Sequence, residues 1–258
     1  MEFNQDENDV KNLSSFSQSL GTLFGQIGGY SIIQIIASFI LVVMTVGMLF
    51  SVIIESSPSA LFNVFQTSIW TILITATVLE FISYFFIIKL IKLLLGAEKK
   101  GIPFKDKYRK SALFFIVGII LGIVLLVVSF IVANWLMQLI QDIFNDPLFE
   151  IEDLDQVPSS DIISTLAQVG RTGLSLAGFY YLKQNFEQLN GYMRNGRNVS
   201  KGLQLLVIGY LLQIIGNLLG LIVDMASLLG LVGLILTIVG YFKASNGLKS
   251  TIWSFTVE

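Results

Sequence analysis

Of the chain's 258 residues, 54% are hydrophobic and only 13% charged, against about a quarter charged in a soluble domain. It has no Cys and no His, which excludes disulfides, thiolate nucleophiles, His acid–base catalysis, His- or Cys-ligated haem, iron–sulfur clusters and the ordinary zinc site. The formal net charge of −2 hides a sorting by sign along the chain, and that sorting carries the topology.

The runs of more than twenty residues without Asp, Glu, Lys or Arg are 12–54, 56–79, 111–141 and 202–223. About 20 apolar residues cross a bilayer, so an all-α, polytopic membrane protein is expected. Residues 1–27 read as an acidic tail followed by an interfacial amphipathic helix, because Leu13, Phe16, Leu20, Leu23, Phe24 and Ile27 repeat at helical spacing with Ser and Gln between them. As one helix the 12–54 run would be about 64 Å long, twice a ~30 Å hydrocarbon core. The expected solution is a bend at Gly28-Gly29 and a first span over 30–54. No cleavable signal is expected in the acidic first twenty residues.

The remaining spans are expected at about 60–88, 111–134, 162–182, 203–222 and 227–243. This makes residues 28–258 a domain of six transmembrane helices in three hairpins, 28–95, 111–182 and 202–245. Fifteen of the sixteen Lys and Arg fall in the N-terminal tail, 89–110, 183–201 and 243–249. The alternating segments carry acids without bases: Glu55, Asp142 through Asp161, and Asp224. Basic loops resist translocation, so the protein is expected in the cell membrane with both termini cytoplasmic. The fourth span contains Arg171, but removing it would break the charge sorting.

Spans 2, 4 and 6 end in aromatics before a Lys: Tyr84-Phe85-Phe86 before Lys89, Phe179-Tyr180-Tyr181 before Lys183, Tyr241-Phe242 before Lys243. Matched openings at Lys110 and Lys201 extend the likeness to a degenerate threefold hairpin repeat. Three two-helix repeats invite comparison with mitochondrial-type carriers, whose odd helices are kinked at Pro. Here Pro58, Pro103, Pro147 and Pro158 all lie outside the expected spans, and the comparison fails.

Two kinds of residue stand out inside the spans. Gly202, Gly209 and Gly216 are seven apart, as are Gly233 and Gly240, while Gly118–Gly122 and Gly216–Gly220 are small-xxx-small pairs. In lipid, bare backbone lets helix axes approach closely, so these eight glycines are expected at helix–helix contacts. Glu80 and Arg171 are the only charges deep in a span, and such groups mark functional sites by default. Measured from Lys89 and Lys183 their depths differ by about one helical turn, which permits an intramembrane pair. Gln34, Gln168, Gln204, Gln213, Asn134, Gln138 and Asn217 add uncharged polar groups whose convergence is not visible from sequence.

The 89–110 loop carries Lys89, Lys92, Lys99, Lys100, Lys105, Lys107, Arg109 and Lys110, interleaved with leucines. It is expected to be topogenic and to bind anionic lipid headgroups, at about 1 kcal/mol per basic group. No nucleic-acid partner is expected. The acidic 142–161 loop lacks an EF-hand order, and no catalytic constellation or phosphate-binding glycine loop is present.

The stretch from KGLQLLVIGYLLQIIG to LLGLVGLILTIVGYFKASNGLK resembles prokaryotic, particularly archaeal, families of small multi-pass membrane proteins of unknown function. The resemblance implies no activity and carries over no functional residue. Two readings remain. The first is a non-enzymatic component that organises lipid, forms a homo-oligomer or assembles with membrane subunits. The second is a small solute or ion transporter with Glu80 and Arg171 at a midplane site. They differ in one observable: whether that pair sits in a dry interface or faces a cavity.

Overall fold

With few polar side chains to bond to, an apolar chain satisfies its backbone within itself, and the helix is the economical way to do so. In a computed structural model, which describes residues 7–55, 58–99, 105–145, 160–189, 193, 196–220, 227–251 and 253, six helices account for nearly all of the described chain. They are α1 (Glu7–Glu55), α2 (Pro58–Lys99), α3 (Lys105–Asn145), α4 (Ser160–Leu189), α5 (Gly196–Gly220) and α6 (Ser227–Lys249). Among the described residues there is no strand, only an isolated bridge between Met193 and Trp253. Pro58 opens α2, where its missing N–H has no partner to lose.

Five helices are long and apolar enough to cross a membrane, all but α4. The surface agrees with a membrane location: Ile33, Phe39, Ile120 and Ile131 are each more than half exposed. The 30 residues of α4 are ample in length. Its polarity sets it apart, and the ring geometry accounts for that polarity.

The backbone of each helix lies close to that of the next in sequence, and α6 comes back close to α1, while non-neighbouring helices meet only through side chains reaching across the axis. The six therefore form a closed ring. Glycine draws two of its seams tight. Between α5 and α6, a Cβ on Gly202 would strike the Ala244 backbone and one on Gly216 the Gly230 backbone, and one on Gly240 would stand 2.8 Å from the Leu206 nitrogen. Gly209 and Gly233 face each other across the same seam, and Gly247 extends the seven-residue series against Val199. Between α1 and α6, Gly21, Gly25 and Gly28 receive Leu248, Ser245 and Tyr241, and the Ser245 hydroxyl donates to the Gly21 carbonyl at 2.6 Å.

That second seam corrects the expected bend. α1 is one helix of 49 residues and continues through Gly28-Gly29. Gly28 supplies a close approach to α6, where a Cβ would stand 3.1 Å from that of Tyr241. The apolar face from Leu13 to Ile27, expected to lie on the membrane surface, is buried in the common core. A ring that must be closed by α6 draws this face inward instead of leaving it on lipid.

The core lies at the end of the ring where α1 begins and α6 ends, beside Lys89, Arg109 and Lys110, termed the basic end. Leu20, Leu94, Tyr108, Ala112, Leu182 and Leu203 fill it. At the opposite, acidic end the ring is uneven. From the level of Gln34 and Glu80, α1 and α2 run on for about 31–33 Å, whereas α5 ends about 10 Å beyond Gln213.

Candidate polar cavity

Midway along the ring, between the aromatic core and the acidic end, the helices do not fill the axis. A cavity of about 300 Å³ remains, lined from α1, α2, α4, α5 and α6. About half of its wall is polar, unlike the outer surface of the same helices. On α4 the lining residues Gln168, Arg171, Thr172 and Ser175 fall at i, i+3, i+4 and i+7, one face of a helix. That face explains why α4 is too polar to stand out by hydropathy: its polar stripe turns to the axis. Tyr30 and Gln34 on α1, Glu80 and Ser83 on α2 and Gln213 on α5 complete most of the wall.

Arg171 and Glu80 form an ion pair. Both line the cavity, with side chains 29% and 17% exposed respectively. The two charges thus meet each other and also border the lumen. The Arg171 guanidinium also lies over the Tyr84 ring, 5.4 Å from its centroid, a cation–π contact that fixes the plane of the fork. Tyr84 in turn leans on bare Gly122 of α3, where any Cβ would strike its hydroxyl.

Hydrogen bonds hold the rest of the wall. Gln213 donates from Nε2 to Thr237 Oγ1 at 2.9 Å, and the Thr237 hydroxyl donates to the Gly233 carbonyl, also at 2.9 Å. Tyr30 donates to the Leu79 carbonyl. Thr172 and Ser31 return their protons to the carbonyls of Gln168 and Ile27, the back-bonding by which hydroxyls sit within helices.

Toward the basic end an aromatic layer closes the ring. Phe24 of α1 meets Phe179 of α4, centroids 6.1 Å apart, across the axis. Phe115 packs edge-on against Phe179 at 5.0 Å, and Tyr210 stacks on Phe179 at 5.4 Å. Tyr210 and Tyr241 belong to both structures: their rings join this layer and their hydroxyls, 2.8 Å apart, share a hydrogen bond at the cavity floor.

The other sequence-derived residues are scattered. Gln204, Asn134 and Gln138 are exposed on the outside, and Asn217 lies beside Gly230. Gly118 makes only an ordinary contact with Leu174, and Gly220, at the very end of α5, has nothing within reach of a Cβ, because α6 is matched to the rest of the seam and not to its last turn. Lys89, Lys92, Arg109 and Lys110 are exposed and Lys107 is half-buried. Lys89 lies over Phe85 at 4.2 Å and Lys110 over Tyr181 at 5.8 Å. The side chains of Lys99, Lys100 and Lys105, like the acidic 146–159 loop and Asp224, lie outside the described residues. Among the described residues no group of acids could hold a metal ion.

Sequence reasoning named the charges and the glutamines but missed the tyrosines and hydroxyls around them. Ser and Thr are at home anywhere in a membrane helix once bonded to their own backbone. The i, i+3, i+4, i+7 stripe on α4 is the signal that was there to be read.

Over residues 105–244 the sequence matches a family described as a protein of unknown function. The match runs from the start of α3 to near the end of α6 and includes Arg171. Neither a curated protein nor a solved structure matches the chain.

Proposed function

We propose that this chain, which belongs to the family described as Protein of unknown function (DUF973), is a non-enzymatic six-span membrane protein that binds a small polar solute in its central cavity and carries it across the bilayer. One observation supports this above the others. Polar side chains from five helices converge on one cavity, although the outer faces of the ring are apolar. Polar groups at membrane depth are costly and cluster where a polar species must be accommodated. At about 300 Å³ the cavity is at the small end of ligand sites. The aromatic layer below it acts as the closed gate. On the charge sorting, the basic end faces the cytoplasm.

The second reading, a lipid-organising component, draws on a groove between α1 and α2 at the basic end. Gln18, Ser19, Thr22 and Gln26 line it beside Lys89 and Lys92, donors suited to an anionic headgroup. The two readings are compatible, since a carrier also sits among lipids.

The test uses the absence of native cysteine. Thr172→Cys and Gln213→Cys should react with a small, charged, membrane-impermeant thiol reagent in sealed proteoliposomes, because they line a wet cavity. Leu206→Cys in the core and Ile120→Cys on the lipid face should not. Unreactive Thr172→Cys and Gln213→Cys in a folded protein would overturn the carrier reading and leave the lipid component standing.

A further inference from the structure

Building on the carrier reading, we infer that the solute is a small zwitterion, with one cationic and one anionic group a few bonds apart. The inference begins with the charges of the lining. Among the described residues it contains one carboxylate, Glu80, and one guanidinium, Arg171, and every other polar group is an amide or a hydroxyl. The empty site is electrically neutral because the two charges satisfy each other.

A lone cation that pairs with Glu80 strands the guanidinium, and a lone anion on Arg171 strands the carboxylate. A stranded charge away from bulk water is strongly disfavoured. An uncharged polyol leaves the pair intact and gains nothing from it. A zwitterion replaces both halves at once. Its carboxylate takes the guanidinium fork in a two-point bond, its ammonium takes the Glu80 carboxylate, and the site stays neutral before, during and after binding.

The geometry suits that exchange. The backbones of α2 and α4 do not lie close together and meet here only through side chains, so the pair can part without tearing a close backbone seam. Tyr84 lies beneath Arg171, which lines the lumen. Room for about ten waters at ~30 Å³ each matches a solute of roughly ten non-hydrogen atoms or fewer. The neutral pair also explains how a carrier avoids moving a bare charge: the intramolecular bridge re-forms when the solute leaves.

The test is titration calorimetry on the purified full chain in mild detergent, with glycine, L-alanine and L-glutamine as zwitterions. Propionate and ethylammonium serve as the separate halves, and glycerol as the neutral control. Saturable heat is expected for at least one zwitterion, with affinity at least tenfold above either half or glycerol. Glu80→Gln and Arg171→Gln should each weaken it at least tenfold, and the outward-facing Gln204→Ala should not. The probe series on the unaltered protein decides the matter even if a charge variant fails to fold. Tighter binding of propionate, ethylammonium or glycerol overturns the zwitterion assignment and leaves the carrier reading in place. No binding by any probe, with Thr172→Cys and Gln213→Cys reactive, overturns the assignment alone. No binding together with unreactive reporters overturns both.

Discussion

Arg171 of α4 reaches Glu80 of α2 although the backbones of the two helices do not lie close together. The ion pair thus borders the lumen and is not a rivet in a close backbone seam. Its neighbours extend it in both directions: Gly122 of α3 makes room for Tyr84, Tyr84 supports Arg171, and Arg171 holds Glu80. On the proposed carrier reading, stability and solute binding depend on this one group of side chains.

Glu80→Gln or Arg171→Gln alone leaves a partner charge without its counter-charge. Truncating a dry buried pair costs about 3–5 kcal/mol. Here both side chains are partly exposed to the cavity, so water softens the loss to about 1–3 kcal/mol. The double variant should recover at least half of the summed loss, a coupling measurable in a double-mutant cycle by detergent melting. Strictly additive losses would show that the two charges do not interact in the folded protein.

The glycines of α5 should differ sharply in tolerance. A Cβ at Gly209 stands 2.7 Å from the Gly233 carbonyl oxygen and 2.8 Å from the Thr237 nitrogen, and backbone cannot swing aside. Gly209→Ala should cost about 1–3 kcal/mol by forcing the helices apart. Gly220→Ala meets open space and should be neutral, or stabilising by up to about 1 kcal/mol. Equal melting temperatures for the two variants would contradict the close α5–α6 seam.

The helical class, the α5–α6 glycine stripes and the Glu80–Arg171 pairing were legible because each rests on a local pattern or on depth counted from the basic ends. Ring closure was not. It depends on Gly21, Gly25 and Gly28 meeting α6, a contact between opposite ends of the sequence. Gly28, read locally with Gly29, suggested a bend. The cavity was legible only in part: Gln34, Gln168 and Gln213 stood out as polar, but whether they converge depends on the rotation of each helix about its own axis. Hydropathy cannot supply that rotation, since in lipid both faces of a helix are apolar and the inward one is chosen by packing.

The charge sorting predicts an orientation that labelling can test. In sealed inverted and right-side-out membranes, Lys99→Cys and Asn195→Cys should label from the cytoplasmic side and Asp155→Cys from the other. External labelling of Asn195→Cys, with Lys99→Cys internal, would take α4 out of the membrane and break the ring as a transmembrane unit.

Gly122 and Tyr84 make the most specific case, because a clash and its remedy can be named in advance. A Cβ at Gly122 would strike the Tyr84 hydroxyl first and stand 3.0 Å from its Cζ. The obstacle is thus the far end of a side chain and not backbone. Gly122→Ala should therefore fold, at a cost of about 1–2 kcal/mol, with Tyr84 displaced from beneath Arg171. Loss of that cation–π support, about 0.5–1 kcal/mol, loosens the guanidinium and should weaken solute binding severalfold. Adding Tyr84→Phe removes the oxygen that clashes while keeping a ring under Arg171. The double variant should then regain most of the stability and binding lost by Gly122→Ala, as read by melting and calorimetry. If Tyr84→Phe instead deepens the defect, the hydroxyl has a role of its own, and the support of Arg171 does not run through the packing of Tyr84 on Gly122.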